Sequence, residues 1–221
     1  MNEWQIIWDQ KEIFTYGLVT TVVLFASASA ISFFMGLALL SVLENGSSGL
    51  KFCVRSSINV MRTLPFLILA YLLYYGLPQV GIRMDAMTAG LVSLCLYHST
   101  YFCEIFRGVR KDMDEGYIEA AKSCGFSKFK IFTRVITPNV LFKSIPLIAN
   151  QLIICLKDTA FLSIITVSEI TAAANSIQST YFIPLNAFIV AIGLYWMVSI
   201  AVEQLTKLAL SKVQQRGLSH A

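Results

Sequence analysis

The sequence predicts an all-α, polytopic membrane protein with five transmembrane helices, mainly because of its composition and its long apolar runs. Of its 221 residues, 56% are hydrophobic and only 14% are charged, and the mean hydropathy of +0.67 is higher than in an ordinary soluble domain. Several runs reach the roughly 20 residues that a helix needs to cross about 30 Å of hydrocarbon. The net charge of +4 is too small to suggest a nucleic-acid partner. We therefore expect one transmembrane domain over residues 1–221, with membrane lipid around it.

Each predicted span is an apolar run that ends at a polar turn, a proline or a charge. The first begins at Tyr16, contains no charged residue and ends at Leu43, before the polar turn that starts at Glu44. The second ends before Pro78 and the third before Arg107. The five spans are predicted over about 16–43, 58–77, 86–106, 145–167 and 185–210.

The distribution of basic residues predicts the orientation. The segment between the third and fourth spans is rich in Lys and Arg, whereas the opposite side has little beyond Lys11 and Arg83. Because basic residues accumulate in cytoplasmic loops, the N-terminus is expected outside and the C-terminus in the cytoplasm. Four residues near the N-terminus are expected to anchor in the outer membrane surface: Trp4, Ile7, Trp8 and Phe14.

Catalytic and metal-binding patterns are not found in the sequence. The five cysteines form no C-x-x-C pair and have no matching histidine cluster, which argues against a metal site. No nucleophile elbow and no usefully spaced pair of catalytic carboxylates occurs. No G-x-x-x-x-G-K-[ST] loop is present, so we do not expect this chain to hydrolyse ATP. A membrane enzyme is therefore the least favoured class.

The longest segment outside the predicted spans is the stretch 107–143, which predicts a helix, a turn and a second helix on the inner membrane face. Residues 112–121 are acidic and then helix-forming, and Gly125 is a plausible break. Ser127 is positioned to cap a helix over 128–136, which we expect Pro138 to end.

Within this stretch lies Glu119-Ala120-Ala121, then three residues, Gly125, nine residues, and Val135-Ile136-Thr137-Pro138. This pattern resembles the EAA loop of ABC-importer permeases, although Thr137 stands where that family has leucine. The resemblance extends over about 17–169 and points to the polar amino-acid (histidine, glutamine, arginine, opine) branch. Segments that carry it are 59–65, 74–78, 104–108 and 156–159.

The resemblance implies an importer subunit of the bacterial inner membrane that moves a polar amino acid, or a related amine or opine, by alternating access. It implies a dimer of separate ATPase subunits that bind ATP and Mg, a second permease that is identical or similar, and an extracytoplasmic solute-binding protein. Five residues are expected to couple the permease to the ATPase: Glu119, Ala120, Ala121, Gly125 and Pro138. Small side chains and a glycine turn suit this role because they form a compact knob at the contact.

Charged residues inside the membrane are costly and need a partner, water or a function. Arg62 and Glu104 lie at similar depth near the cytoplasmic side, so we expect a structural ion pair, unless Arg62 instead extends to lipid phosphates. Lys157, Asp158 and Thr159 lie deep in the fourth span. They face either the substrate, whose carboxylate and ammonium they would match, or a neighbouring helix.

Two further residues leave alternatives open. Glu169, just past the fourth span, lines the outer mouth of the pathway, contacts a docking partner or is simply solvated. His98, in the middle of the third span, is either hydrogen-bonded packing or a proton relay. A relay formed with Lys157 and Asp158 would indicate an ion-coupled secondary transporter, the main rival to the ATP-driven importer. Such a transporter would show more spans or an internal repeat, and we find no repeat.

Overall fold

A computed structural model describes residues 2–215, and within that range the chain forms helices and turns without strands. The α-helices are α1 (Glu3–Asp9), α2 (Lys11–Asn45), α3 (Ser48–Thr63), α4 (Phe66–Tyr71), α5 (Ala86–Lys111), α6 (Gly116–Ser123), α7 (Lys128–Ile131), α8 (Thr137–Asp158), α9 (Ile170–Tyr181) and α10 (Pro184–Gln215). Two π-helical turns cover Leu72–Gly76 and Phe132–Ile136, and two 3₁₀ segments cover Leu77–Val80 and Thr159–Ile165. The C-terminal end of the chain, and with it the predicted cytoplasmic C-terminus, lies outside the described residues.

The described chain forms two compact units. The first contains residues 2–30, 64–96 and 152–202, and the second contains residues 31–63, 97–151 and 203–215. The long helices α2, α5, α8 and α10 each contribute residues to both units. The single domain over residues 1–221 stays a prediction.

The core of the first unit joins the N-terminal helices to α9 and α10. Ile7 and Phe14 are buried in one cluster with Ile170, Ile177 and Ala187. The predicted anchoring in the outer membrane surface is therefore wrong for Ile7 and Phe14, because α9 and α10 supply an apolar surface that covers them. Two members of that predicted anchor remain exposed: Trp4 and Trp8.

The core of the second unit is built on a close approach of α2 and α5. The Phe33 ring lies 5.4 Å from the Phe106 ring, edge to face. A Cβ on Gly36 would lie 2.7 Å from the Phe102 Cβ and 3.0 Å from the backbone nitrogen of Cys103. Only glycine fits at this position without displacing one of the two helices.

By length and composition, three helical segments of the described chain are able to cross a membrane: Lys11–Asn45, Lys128–Ile165 and Pro184–Ser211. A fourth results if Ser48–Thr63 and Phe66–Val80 count as one broken span. The predicted second span over 58–77 is therefore not one straight helix but is broken between Thr63 and Phe66. Pro65 has no amide hydrogen and disfavours helical backbone at Leu64, so α3 ends at Thr63 and α4 begins at Phe66.

The predicted third span corresponds to α5, which is not among the segments that are long and apolar enough to cross a membrane. Polar residues in its central part, among them His98, Ser99 and Thr100, reduce its apolar character and are buried inside the protein. His98 Nδ1 lies 2.8 Å from Gln151 Nε2 of α8, which matches the packing alternative for this histidine.

Candidate functional site

The segment that carries the EAA-like pattern folds as helix, turn and helix. α6 contains Glu119, Ala120 and Ala121 and ends in a Schellman motif. The Phe126 amide donates to the Ala121 carbonyl at 3.0 Å, and the Gly125 amide donates to the Lys122 carbonyl at 2.9 Å. Gly125 has φ +75°, the left-handed conformation that this motif requires. The break predicted at Gly125 is thus present, because the left-handed conformation of this glycine ends the helix.

One side of this segment packs inward and the other is exposed. Ile118 and Ala121 are buried, whereas Glu119 and Ala120 are exposed. Of the two alanines of the motif, therefore, only Ala120 is available to a partner. Beyond the turn, Phe129 is 73% exposed, between the exposed residues Lys128 and Lys130. Phe129 therefore offers apolar area on the same exposed side as Ala120 and Gly125 only to a partner from outside this chain.

The second helix begins as predicted but does not end as predicted. The Ser127 hydroxyl caps α7 by accepting a hydrogen bond from the Lys130 amide at 3.4 Å. Pro138, however, lies inside a helix that continues from Lys128 to Ile165. The π-helical turn before it accommodates the proline, because the Thr137 amide bonds the carbonyl five residues back, at Phe132. Pro138 therefore marks a change in helix geometry between α7 and α8.

An arginine-rich cluster lies where α5 leads into this segment. Arg107 binds both carboxylate oxygens of Glu104, with distances of 2.6 and 2.6 Å. Arg62 Nη1 of α3 lies 3.1 Å from Glu104 Oε2, and the Arg62 guanidinium lies 5.5 Å from the centre of the Tyr101 ring. The sequence predicts the contact between Arg62 and Glu104 from their similar depth. It does not predict that Glu104 is shared with Arg107.

We expect charge reversal of Arg62 to lower the melting temperature modestly. Its side chain is 40% exposed, so the pair with Glu104 contributes about 1 kcal/mol or less. Glu104→Arg is expected to lower it further, because Arg107 then loses a bidentate partner. Combining Arg62→Glu with Glu104→Arg is expected to recover only the part due to Arg62. Thermal unfolding of the purified chain measures this, and a double variant no more stable than Glu104→Arg alone would argue against the pair.

A second ionic cluster was missed by sequence reasoning. Arg110, near the end of α5, lies between two carboxylates: its Nε is 3.4 Å from Glu44 Oε2 at the end of α2, and its Nη1 is 3.0 Å from Glu115 Oε1 just before α6. The Arg110 side chain is only 11% exposed. No local spacing links Glu44 with Arg110, because the two are brought together by the packing of α2 on α5.

The predicted substrate-facing residues lie where α8 ends: Lys157 and Asp158 are its last two residues, and Thr159 begins the 3₁₀ segment. Lys157 is exposed on the surface of this chain and Asp158 is half-buried. Thr159 is fully buried, and its hydroxyl donates to the Leu156 carbonyl at 2.6 Å. The three residues therefore have different surroundings, as the roughly 100° step of a helix requires.

Glu169 caps α9 and is not solvated. Its two carboxylate oxygens accept hydrogen bonds from the amides of Thr171 and Ala172, at 2.8 and 2.7 Å, and from the Tyr195 hydroxyl at 2.5 Å. It is fully buried. Burial raises the pKa of the Glu169 carboxyl, and the bonds from Tyr195 and the two amides oppose that shift.

Next to Glu169 the first unit contains a cavity of about 470 Å³, within the range of small-molecule sites. Two carboxylic acids contribute to its wall, Glu12 and Glu169. The other residues of the wall are Ile13, Tyr16, Ser168, Ala172, Ala173 and Ser176.

Comparison with known proteins gives the family. The profile of a family described as the binding-protein-dependent transport system inner membrane component matches residues 28–215, which is most of the chain. The chain belongs to this family. As a permease of this family it is a multi-pass inner-membrane protein and a transport subunit.

Individual relatives are similar to this chain over most of its length. A probable amino-acid ABC transporter permease protein of Bacillus subtilis, YckA, is 30% identical over 207 residues, covering 89% of each chain. The nopaline transport system permease protein NocM of Agrobacterium fabrum is 31% identical, covering 69% of this chain and 67% of NocM. A crystal structure of an amino acid ABC transporter with histidines matches with a TM-score of 0.83 and 30% identity, covering 93% of this chain and 96% of that one.

Proposed function

We propose that this permease imports a polar amino acid, or a related opine or amine, into the cytoplasm at the expense of ATP. The observation that carries the proposal is the likeness, in sequence and in fold, to an amino acid ABC transporter across nearly the whole of both chains. In this proposal, two copies of a separate ATPase bind ATP and Mg on the cytoplasmic side. A second permease, identical or similar, completes the pathway, and a solute-binding protein delivers the substrate from outside.

We propose five membrane crossings with the N-terminus outside and the C-terminus in the cytoplasm. Four come from α2, the α3 and α4 pair, the continuous helix that ends at Ile165, and α10. The fifth is α5, whose 26 residues extend about 39 Å, enough to cross the hydrocarbon. Its central polar side chains are covered by protein and need not meet lipid.

The surface that contacts the ATPase in this proposal is the turn between α6 and α7. Glu119, Ala120 and Gly125 are exposed there, and Phe129 adds apolar area. Ala121 and Pro138 have supporting roles: Ala121 packs α6 inward, and Pro138 follows the π-helical turn that leads to α8. When the ATPase subunits close, a shift of the turn between α6 and α7 is transmitted through the continuous helix Lys128–Ile165 to the membrane-spanning part of α8.

Lys157 is the strongest candidate for direct contact with the substrate. A charged side chain at membrane depth costs about 2.5–3.5 kcal/mol in lipid, so an exposed lysine there requires a polar surrounding from outside this chain. A water-filled pathway, shared with a second permease, supplies that surrounding. Asp158 is the second candidate, whereas Thr159 and Glu169 shape the pathway through their internal hydrogen bonds.

We expect Lys157→Met to lower uptake at least tenfold while insertion and melting temperature stay unchanged. The variant would lose the attraction between Lys157 and the substrate carboxylate, but it would lose no packing contact in the core. Uptake of labelled substrate into vesicles measures this, with Lys143→Met in the cytoplasmic segment as a matched exposed control. Unchanged uptake in Lys157→Met, or a lowered melting temperature, would assign the lysine to helix packing instead.

The substrate class is tested by ATP-dependent uptake into vesicles that contain the permease, its ATPase and its binding protein. Labelled acidic, amide and basic amino acids and an opine are compared, with a sugar as control. Uptake of one or more amino acids or the opine, but not of the sugar, is the expected result. Uptake of the sugar alone would overturn the substrate assignment and leave the family assignment intact.

A further inference from the structure

The helix α3 carries its basic residues along one side. Lys51, Arg55 and Arg62 follow at steps of four and seven residues, so at about 100° per residue they lie within about 40° of one another. Phe52, which is 74% exposed, lies about 60° from Arg55 on the flank of this stripe. A helix with a basic stripe and an uncovered apolar flank is typical of a membrane interface.

The contacts of α3 within the second unit show where it lies. Near its start, Lys51 donates to the Glu44 carbonyl at 2.9 Å, and the Glu44 carboxylate is the partner of Arg110 on α5. Near its end, Arg62 contacts Glu104 on α5. Glu104 lies in the last part of α5, from which the α6 segment starts. α3 therefore lies at this end of α5.

Positive charge exceeds negative charge at this place. Two arginines, Arg107 and Arg62, share the single carboxylate of Glu104. Arg107 already binds both of its oxygens, and Arg62 adds a third contact to one of them. Arg55 is exposed. Two guanidinium groups on one carboxylate leave a surplus of one positive charge, and the exposed Arg55 on the same side of α3 adds another. The planar fork of arginine matches a phosphate group.

We propose that the basic stripe of α3 binds the phosphate of an anionic phospholipid in the cytoplasmic leaflet. Arg55 and Arg62 hold the headgroup, and Phe52 lies against the acyl chains. The charge surplus favours an anionic over a zwitterionic lipid, and the apolar flank favours a lipid over a free phosphate. The leaflet assignment rests on the orientation given under Proposed function.

The test is the melting temperature of the purified full-length chain in a neutral detergent with added phosphatidylglycerol. At about 100-fold excess over the dissociation constant, a site of this kind raises the melting temperature by about 5–10 °C. We expect Arg55→Gln to lose most of this shift, and Arg83→Gln, at an exposed arginine of the loop before α5, to keep it. Phosphatidylcholine and glycerol phosphate are expected to give little or no shift.

Four results would overturn the proposal. An undiminished shift in Arg55→Gln would exclude the stripe, and an equal loss in Arg83→Gln would indicate diffuse charge attraction. An equal shift with phosphatidylcholine would exclude headgroup recognition, and an equal shift with glycerol phosphate would indicate a phosphate site that needs no lipid. If Arg55→Gln does not fold, Arg55→Lys replaces it and is expected to halve the shift. The assay needs no transport, so its outcome is separate from that of the uptake measurements.

Discussion

Replacing Gly125 by aspartate is expected to abolish ATP-dependent uptake while the chain still folds and inserts. Gly125 adopts φ +75° at the exposed turn after α6, and a Cβ there would meet no atom of this chain within 4 Å. The folded permease therefore loses only about 1–2 kcal/mol of backbone energy. An ATPase surface packed against the turn, however, would meet both an added side chain and a negative charge.

Gly81 offers a matched control for this variant. It has φ +87°, a Cβ added to it would likewise meet no atom within 4 Å, and it lies in the loop before α5. Gly81→Asp therefore carries a similar backbone cost away from the proposed coupling surface. Uptake is expected to vanish in Gly125→Asp and to persist in Gly81→Asp at equal amounts of inserted protein. Equal uptake in the two variants would refute the coupling role of the turn.

Replacing Arg110 by glutamine is expected to destabilise the chain more than replacing an exposed arginine such as Arg134. Its buried guanidinium is the shared partner of Glu44 and Glu115, and losing a charge-assisted contact to a half-buried carboxylate costs about 2 kcal/mol. Since Glu115 is 67% exposed, most of this loss comes from Glu44. The corresponding fall in melting temperature is about 4–8 °C for a chain of this size.

The control for Arg110 is Arg134→Gln, at an exposed arginine of the same cytoplasmic segment. We also expect Glu44→Gln to cost more than Glu115→Gln, because Glu44 is the less exposed of the two carboxylates. Thermal unfolding of the four variants checks both expectations. Equal melting temperatures for Arg110→Gln and Arg134→Gln would show that the buried cluster does not hold α2 to the start of the α6 segment.

Much of the fold follows from local properties of the sequence. The charge-free run from Tyr16 predicts α2, and the combination of Gly125 with Ser127 predicts the turn and the cap between α6 and α7. These features depend on neighbouring residues alone. The contact between Arg62 and Glu104 can also be predicted from the sequence, because two helices that end at the same membrane face place residues of similar depth side by side.

Some features that sequence reasoning missed depend on residues far apart in the chain, and one depends on local helix geometry. Ile7 and Phe14 have the composition of a lipid anchor, and only the presence of α9 and α10 makes them core residues. Pro138 has the usual mark of a helix end, but a π-helical turn lets the helix continue. The burial of Glu169 is not evident from its neighbours in sequence, because one of the groups that bind its carboxylate is the Tyr195 hydroxyl, 26 residues away.

The central claim is that transport through this permease is driven by ATP and not by an ion gradient. It is tested most directly in sealed vesicles that contain the permease, its ATPase and its binding protein. Uptake is measured with ATP supplied on the side of the membrane that carries the ATPase and with all ion gradients collapsed. The account predicts that uptake continues under these conditions and stops when ATP is replaced by a non-hydrolysable analogue. Uptake that needs no nucleotide and follows an imposed proton or sodium gradient would contradict it, and would favour a secondary transporter.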